Sequence, residues 1–210
     1  MTMSFSNPSS GAKDAAARYV QSLLDVLGDR DSIEVLSTLD VSLDRATAGL
    51  TPTQLRQPEK SGKWSVIEVV QHLADSELVT GYRIRMILAS DTPDIQGYDQ
   101  DAWAHRLRYA ESSLLDALAQ MRVLRGRTLE LLRRLQPDEW ERAGMHSERG
   151  LESVRHMTKL QAAHDLVHLR QITRIKSAIL SEAGASNHAP GQTPRAPSSD
   201  GTASTPVTEA

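Results

Sequence analysis

The sequence predicts an all-α protein, built as a four-helix bundle with an extra short N-terminal helix. Three observations favour this fold class. The 210-residue chain has only 4% aromatic residues and a single Phe, whereas β-sandwiches and barrels draw on aromatic and β-branched residues. Apolar side chains recur at helical spacing in long stretches that Gly and Pro residues separate. We find no strand alternation of useful length and no internal repeat.

Five helices are predicted in order, the short N-terminal one and the four of the bundle. They cover about residues 13–27, 32–50, 64–90, 110–135 and 151–181. Gly28 ends the first helix, and Pro52 and Pro137 lie just beyond the second and the fourth, as residues that stop helices do. The connecting segments are predicted as loops at 93–97 and 144–150 and a short helical turn at 98–104.

The fourth predicted helix carries several arginines that alternate with leucines. They form no dense basic patch, and their spacing predicts that they lie on the solvated face of the helix. They are Arg122, Arg125, Arg127, Arg133 and Arg134.

One folded domain is predicted, with a disordered segment on either side. Residues 1–12 are small and polar, and residues 183–210 hold four of the nine prolines but no Leu, Ile or aromatic residue. Such segments cannot bury enough apolar area to offset the entropy of ordering them. The sequence therefore predicts a disordered N-terminus over 1–12, a helical bundle domain over 13–182 and a disordered tail over 183–210.

Composition excludes several classes of site and partner. The absence of Cys rules out disulfides, Cys-type zinc sites, iron–sulfur clusters and a cysteine nucleophile, so a metal site must use His and carboxylates. The net charge of −3 gives no reason to expect nucleic acid as a partner. No apolar run approaches the roughly 18 residues of a membrane span, and the first residues resemble no secretory signal. We therefore expect a cytoplasmic protein.

Two histidines lie four residues apart on the last predicted helix. His164 and His168 fall on the same helical stripe as Ile172 and Ile175, the face that should meet the core. A buried imidazole needs a partner, and a divalent metal is one such partner for an i,i+4 pair. The alternative is a pair of core histidines satisfied by ordinary hydrogen bonds.

A third histidine, His72, lies in a narrow polar strip of the otherwise apolar helix predicted from about residue 64. Three inward histidines from two helices would form a three-nitrogen site with open positions for water or substrate. Glu68 lies four residues before His72, and Gln161 three before His164. Both can orient the imidazole rings through their second nitrogens, although a surface or interhelix hydrogen bond is an equal alternative for each.

Four further residues are candidates for substrate contact. Arg83 shares the His72 face and can bind an anionic substrate or form an interhelix salt bridge. His146, in a predicted loop at one end of the bundle, can serve as an acid or base, contact substrate or lie on the surface. Tyr98 and Trp103 follow the His72 helix and either cover the mouth of the site or pack in a connector.

Several segments resemble the signatures of one superfamily. Residues 64–77, Trp-Ser-Val-Ile-Glu-Val-Val-Gln-His-Leu-Ala-Asp-Ser-Glu, look like the first signature of the DinB/YfiT-like superfamily, and residues 164–172 resemble the second. Between them, residues 98–103 and the 146–150 loop match the YfiT-like branch in kind and order. The resemblance covers about residues 15–180.

The resemblance implies a four-helix bundle, commonly a homodimer, with nickel or zinc on three histidines. Carried over to this chain, the metal ligands are His72, His164 and His168. Characterised relatives include bacillithiol S-transferases and a mycothiol-dependent maleylpyruvate isomerase, and YfiT-like members are described as metal-dependent hydrolases.

The function that follows is a metal-dependent S-transferase acting on a small-molecule substrate. Because the chain has no Cys, the thiol must arrive as a low-molecular-weight cosubstrate that the metal activates. One alternative is a metal-dependent hydrolase that uses hydroxide formed at the metal. The other is a metal-binding bundle without catalysis.

Overall fold

The computed structural model describes residues 13–186, which form eight α-helices and three short β-strands. In chain order these are α1 Lys13–Leu27, α2 Ser32–Ser37, α3 Leu39–Thr47, α4 Pro52–Arg56, α5 Val66–Ala89, β1 Asp94–Ile95, α6 Gln100–Arg106, α7 Leu114–Leu132, β2 Ala143–His146, β3 Gly150–Ser153 and α8 Val154–Ser186. Residues 1–12 and 187–210 lie outside this range. The disorder predicted for residues 1–12 and for most of the tail therefore falls on residues that the structure does not describe.

The helices pack as the predicted bundle. The three longest, α5, α7 and α8, form its centre: α5 packs against both α7 and α8, and α1, α2 and α3 lie along α8. The N-terminal helix α1 has the predicted bounds. Among the described residues, no helix is long and apolar enough to cross a membrane.

A polar layer crosses the middle of the bundle and separates two apolar clusters. One cluster joins α1 and α2 to the end of α5 and the first half of α8. The other joins α3 to the start of α5, the start of α7 and the later part of α8. Buried polar side chains of α5, α7 and α8 lie between them, and they include His72, Glu77, Arg125, Gln161, Asp165 and His168.

Helix boundaries differ from the prediction where local capping decides them. The predicted helix over 32–50 is divided at Thr38, which ends α2 and begins α3. The short helix α4 was not predicted, and a reciprocal capping box of Thr51 and Gln54 begins it. The last helix begins at Val154, because the residues before it form a strand, and it continues to Ser186.

The small sheet corrects the prediction of loops at 93–97 and 144–150. Strand β1 pairs in parallel with β2, and β2 pairs in antiparallel with β3. Strands of two to four residues are too short to show the alternation from which strands are recognised. Gly144 is required in β2, since a Cβ atom there would lie 2.7 Å from Ile95 Cδ1 and 2.9 Å from the Pro93 carbonyl oxygen.

Candidate metal centre

The structure brings together the three histidines that the sequence singled out. His72 projects from α5 and His164 and His168 from α8, all at the level of the polar layer. The Nε2 atom of His164 lies 3.0 Å from Nε2 of His72 and 3.1 Å from Nε2 of His168. One ring nitrogen from each residue lies within 4.8 Å of the others. This is a separation at which three nitrogens can share one metal ion.

The hydrogen bonds of these rings favour a shared cation. His168 Nδ1 contacts the Gln171 side-chain oxygen at 2.7 Å; an amide oxygen only accepts, so Nδ1 carries the proton and Nε2 keeps its lone pair. His164 Nε2 holds at most one proton, so it can donate a full hydrogen bond to only one of its two neighbours. The buried Nδ1 atoms of His72 and His164 have no partner among the described residues. A cation between the Nε2 atoms would satisfy all three lone pairs.

Burial keeps the three imidazoles neutral. Desolvation, reinforced by the nearby His168, lowers the pKa of His72 and of His164 well below the usual value. Desolvation also lowers the pKa of His168 to about 4, against the opposing effect of its hydrogen bond to Gln171. Neutral imidazole is the form that binds a metal, so at neutral pH the site does not have to lose protons first.

A narrow cavity opens onto His72 and His164. Its wall includes Arg83 of α5 and Tyr98 of the segment between β1 and α6. Arg83 Nη2 donates a hydrogen bond to the Gln96 carbonyl, and its guanidinium lies 5.8 Å from the centre of the Tyr98 ring. Among the side chains of residues 17–182, no carboxylate forms with Arg83 the interhelix salt bridge that was one of its two predicted roles.

A buried ion network joins the two helices that carry the histidines. Arg125 of α7 donates from Nε to Glu77 on α5 at 2.8 Å and from Nη1 to Asp165 on α8 at 2.7 Å. Its side chain is only 5% exposed, so the predicted solvated position is wrong for this arginine. The other four arginines of that set lie at the surface. The network fixes α5 against α8 directly beside the three histidines, because Asp165 adjoins His164.

A family model described as the DinB superfamily matches residues 38–172, more than half of the chain. This protein belongs to the DinB superfamily. YfiT of Bacillus subtilis (strain 168) is 30% identical over 146 residues, which cover 68% of this chain and 82% of YfiT. A protein of Oceanobacillus iheyensis is 31% identical over 143 residues, which cover 68% of this chain and 83% of that relative. Both relatives are named as candidate metal-dependent hydrolases.

The solved structure of YfiT confirms the fold of this DinB chain. It aligns with a TM-score of 0.63 and 26% identity, covering 80% of this chain and 91% of YfiT. That structure is described as an unusual four-helix bundle of a candidate metal-dependent hydrolase. The predicted all-α four-helix bundle is therefore confirmed.

Glu68 does not orient His72 in this DinB chain. Its carboxylate accepts hydrogen bonds from the Ser65 backbone nitrogen at 2.8 Å and from the Ser65 hydroxyl at 2.7 Å. Glu68 is the third residue of α5, so these contacts complete a capping box at the start of the helix. The capping position explains why its side chain turns away from His72.

Gln161 forms its hydrogen bonds with other residues than His164, the ring that it was predicted to orient. Its oxygen accepts from the Thr80 hydroxyl at 2.8 Å, and its amide nitrogen lies 3.4 Å from Asp165. The residue that orients a ring is Gln171, which was missed. Its position three residues after His168 places it on the same helical face, and this spacing was the available signal.

Tyr98 and Trp103 form a pair at the cavity mouth. Tyr98 borders the cavity, and burial raises its pKa, although Arg83 and a hydrogen bond to Ser76 oppose the rise. Trp103 of α6 packs on Tyr98 with ring centres 4.6 Å apart. Trp103 does not border the cavity, so it supports Tyr98 from outside.

His146 lies apart from this cavity and is buried rather than overhanging the bundle. It is 2% exposed on β2, and its Nδ1 accepts from the Glu148 backbone nitrogen at 3.1 Å. Burial, with a smaller effect of Arg149, lowers its pKa to about 4. It borders a second cavity, of about 460 Å³, next to Arg149 and His156. The structure therefore does not bring His146 to the three histidines.

Proposed function

We propose that this DinB protein is a metal-dependent enzyme whose divalent ion, zinc or nickel, is held by His72, His164 and His168. The observation that carries the proposal is the convergence of three neutral imidazoles, two buried and that of His164 half-buried, beside an accessible cavity. Three protein nitrogens leave open positions on the metal, which is the arrangement of catalytic rather than structural zinc sites.

The reaction that we propose is transfer of a low-molecular-weight thiol to an electrophilic carbon. A divalent ion at this centre would act as a Lewis acid and lower the pKa of a thiol or water that reaches it. A thiol, with a pKa of about 8.5, needs a much smaller shift than water, whose pKa is about 15.7. Among the described residues that border the cavity, none is a carboxylate that could serve as a base for water. Thiol chemistry needs no such base.

The transfer balances without any further reactant. The thiol loses its proton to solvent, its sulfur bonds to the electrophilic carbon, and the leaving group departs with the electron pair of the broken bond. The chain has no Cys that could compete. Its own residues supply the narrow cavity, the ring nitrogens and the polar wall formed by Ser76, Thr80 and Tyr98.

Hydrolysis is the second candidate, and the names of the relatives favour it. The two reactions differ only in the nucleophile, so one assay separates them. Metal-loaded protein is supplied with a chlorodinitrobenzene and, in turn, bacillithiol, mycothiol, glutathione or no thiol, and a set of ester and amide substrates is tested in parallel.

We expect turnover that needs both metal and thiol, that disappears in His164→Ala and that persists in His105→Ala, a control at an exposed histidine. Metal-dependent hydrolysis without thiol would replace transfer by the second candidate. A protein that binds metal but catalyses neither reaction would contradict both and favour a bundle without catalysis.

The partners proposed for this enzyme are a small-molecule substrate and a second copy of the chain, with no role for nucleic acid. The resemblance to DinB proteins supports the homodimer, and the absence of a dense basic patch on α7 argues against nucleic acid. Light scattering should give twice the chain mass of 23.1 kDa. A monomer at all concentrations would contradict the dimer.

A further inference from the structure

The permanently charged side chains that border the histidine cavity are both arginines. Two bordering residues are permanently charged, Arg83 and Arg149, and no Asp or Glu is among the described residues of the wall. Neutral imidazoles add no negative charge, so a divalent ion at the centre would keep its full charge. Clefts lined by one sign of charge concentrate ligands of the opposite sign.

Arg83 and Arg149 differ in the charge and the N–H donors that remain available to a ligand. Arg149 donates from Nε and Nη2 to Glu152, at 2.6 Å and 2.9 Å, and is neutralised by that carboxylate. Among the side chains of residues 17–182, no carboxylate lies within salt-bridge distance of Arg83, and its contacts there are with the Gln96 carbonyl and the face of the Tyr98 ring. A guanidinium has five N–H donors in a planar fork, so Arg83 retains donors for a ligand.

We propose that Arg83 recognises the anionic group, a carboxylate or phosphate, of a small substrate or cosubstrate whose reactive end lies at the three histidines. This inference rests on the proposed function and specifies the class of molecule. A guanidinium binds such planar or tetrahedral anions through two parallel hydrogen bonds. The charge of Arg83 then selects anions over neutral molecules of the same shape.

A purely structural role for Arg83 must be distinguished from recognition. Its hydrogen bond to the Gln96 carbonyl holds the segment after β1 against α5, and losing this contact alone would weaken binding of every ligand equally. Recognition instead predicts a loss confined to anions. The comparison of an anion with its neutral isostere therefore decides between the two roles.

The experiment titrates metal-free protein by calorimetry with sodium malonate, with inorganic phosphate and with neutral malonamide. For wild type we expect at least one anion to bind about tenfold or more tighter than malonamide, with weakening at high salt. Arg83→Met should lose this preference, and Arg83→Lys should retain most of it because the charge is kept. Arg127→Met, at an exposed arginine of α7, is the matched control and should bind as wild type does. The stronger of the two anions identifies carboxylate or phosphate as the recognised group.

Equal binding of anions and malonamide by wild type would overturn the inference, as would an unchanged preference in Arg83→Met. If Arg83→Met does not fold, the wild-type preference and the Arg83→Lys titration still decide. The titrations need no metal. A protein that binds anions through Arg83 but never binds metal would therefore contradict the proposed function and leave this inference standing. A protein that binds metal but shows no preference for anions would contradict this inference and leave the proposed function standing.

Discussion

The Nε2 atoms of His72 and His164 lie 3.0 Å apart, although 92 positions separate the two residues in the chain. Arg125 accounts for this approach, because it binds Glu77 five residues after His72 and Asp165 immediately after His164. Helix α7, which carries none of the three histidines, thus holds together the two helices that carry them.

Arg125→Met should destabilise the metal-free protein by about 3–5 kcal/mol, since it leaves two buried carboxylates without their cation. Adding Glu77→Gln and Asp165→Asn should recover part of the loss, because the uncompensated charges are then gone. Urea unfolding followed by circular dichroism measures both. Arg127→Met is the surface control and should change stability by less than about 0.5 kcal/mol. A loss below about 1 kcal/mol in Arg125→Met would contradict the role of the network.

Gln171→Ala should weaken metal binding about 10- to 100-fold by releasing the ring of His168, with little change in unfolding. The Gln171 oxygen is the partner that assigns the proton to Nδ1 of His168. Competition with a chromophoric chelator gives the affinity. Gln21→Ala, at an exposed glutamine of α1, is the control. Equal affinities in the two variants would show that Gln171 does not orient the ligand.

Acid should destabilise the protein partly through His146, whose pKa is lowered to about 4 in the fold by burial and by Arg149. In the unfolded chain a histidine has a pKa of about 6.5, so the unfolded state takes up a proton first as the pH falls. The stabilisation that neutral His146 contributes is therefore fully present above about pH 6.5 and is lost as the pH falls from about 6.5 to 4. Between pH 7 and pH 5 this effect should lower the free energy of unfolding by about 1–2 kcal/mol.

His146→Gln tests this window because glutamine does not titrate. The loss of stability between pH 7 and pH 5 should be smaller in His146→Gln than in wild type by that amount, whereas His105→Gln, at an exposed position, should lose as much as wild type. Parallel curves for wild type and His146→Gln would mean that His146 is not held neutral by the fold.

The 3.6-residue period predicted the long helices and the helical faces on which the three histidines lie, and the family resemblance predicted that the three histidines form one site. His164 and His168 are neighbours on one helical face wherever the helix lies, and His72 shares a polar strip of a buried helix. Interactions between distant segments were not accessible in this way. The alternation of arginines with leucines predicted a solvated Arg125, and only the approach of α5 and α8 supplies the carboxylates that make its burial possible.

The corrections at Glu68 and at the small sheet have local causes. Glu68 is at the third position of its helix, where capping the backbone competes with any role toward His72. The strands β1 to β3 have two to four residues each, and pairing with one another, rather than their own pattern, stabilises them. Neither effect can be recognised from the period of apolar residues alone.

The metal content of protein purified without a histidine tag tests the central claim most directly. Elemental analysis of wild type should find about one equivalent of zinc or nickel per chain, because the three histidines form one site. His72→Ala, His164→Ala and His168→Ala should each lose it, and His105→Ala should retain it. Equal, substoichiometric metal in wild type and in His164→Ala would contradict a metal centre on these three residues.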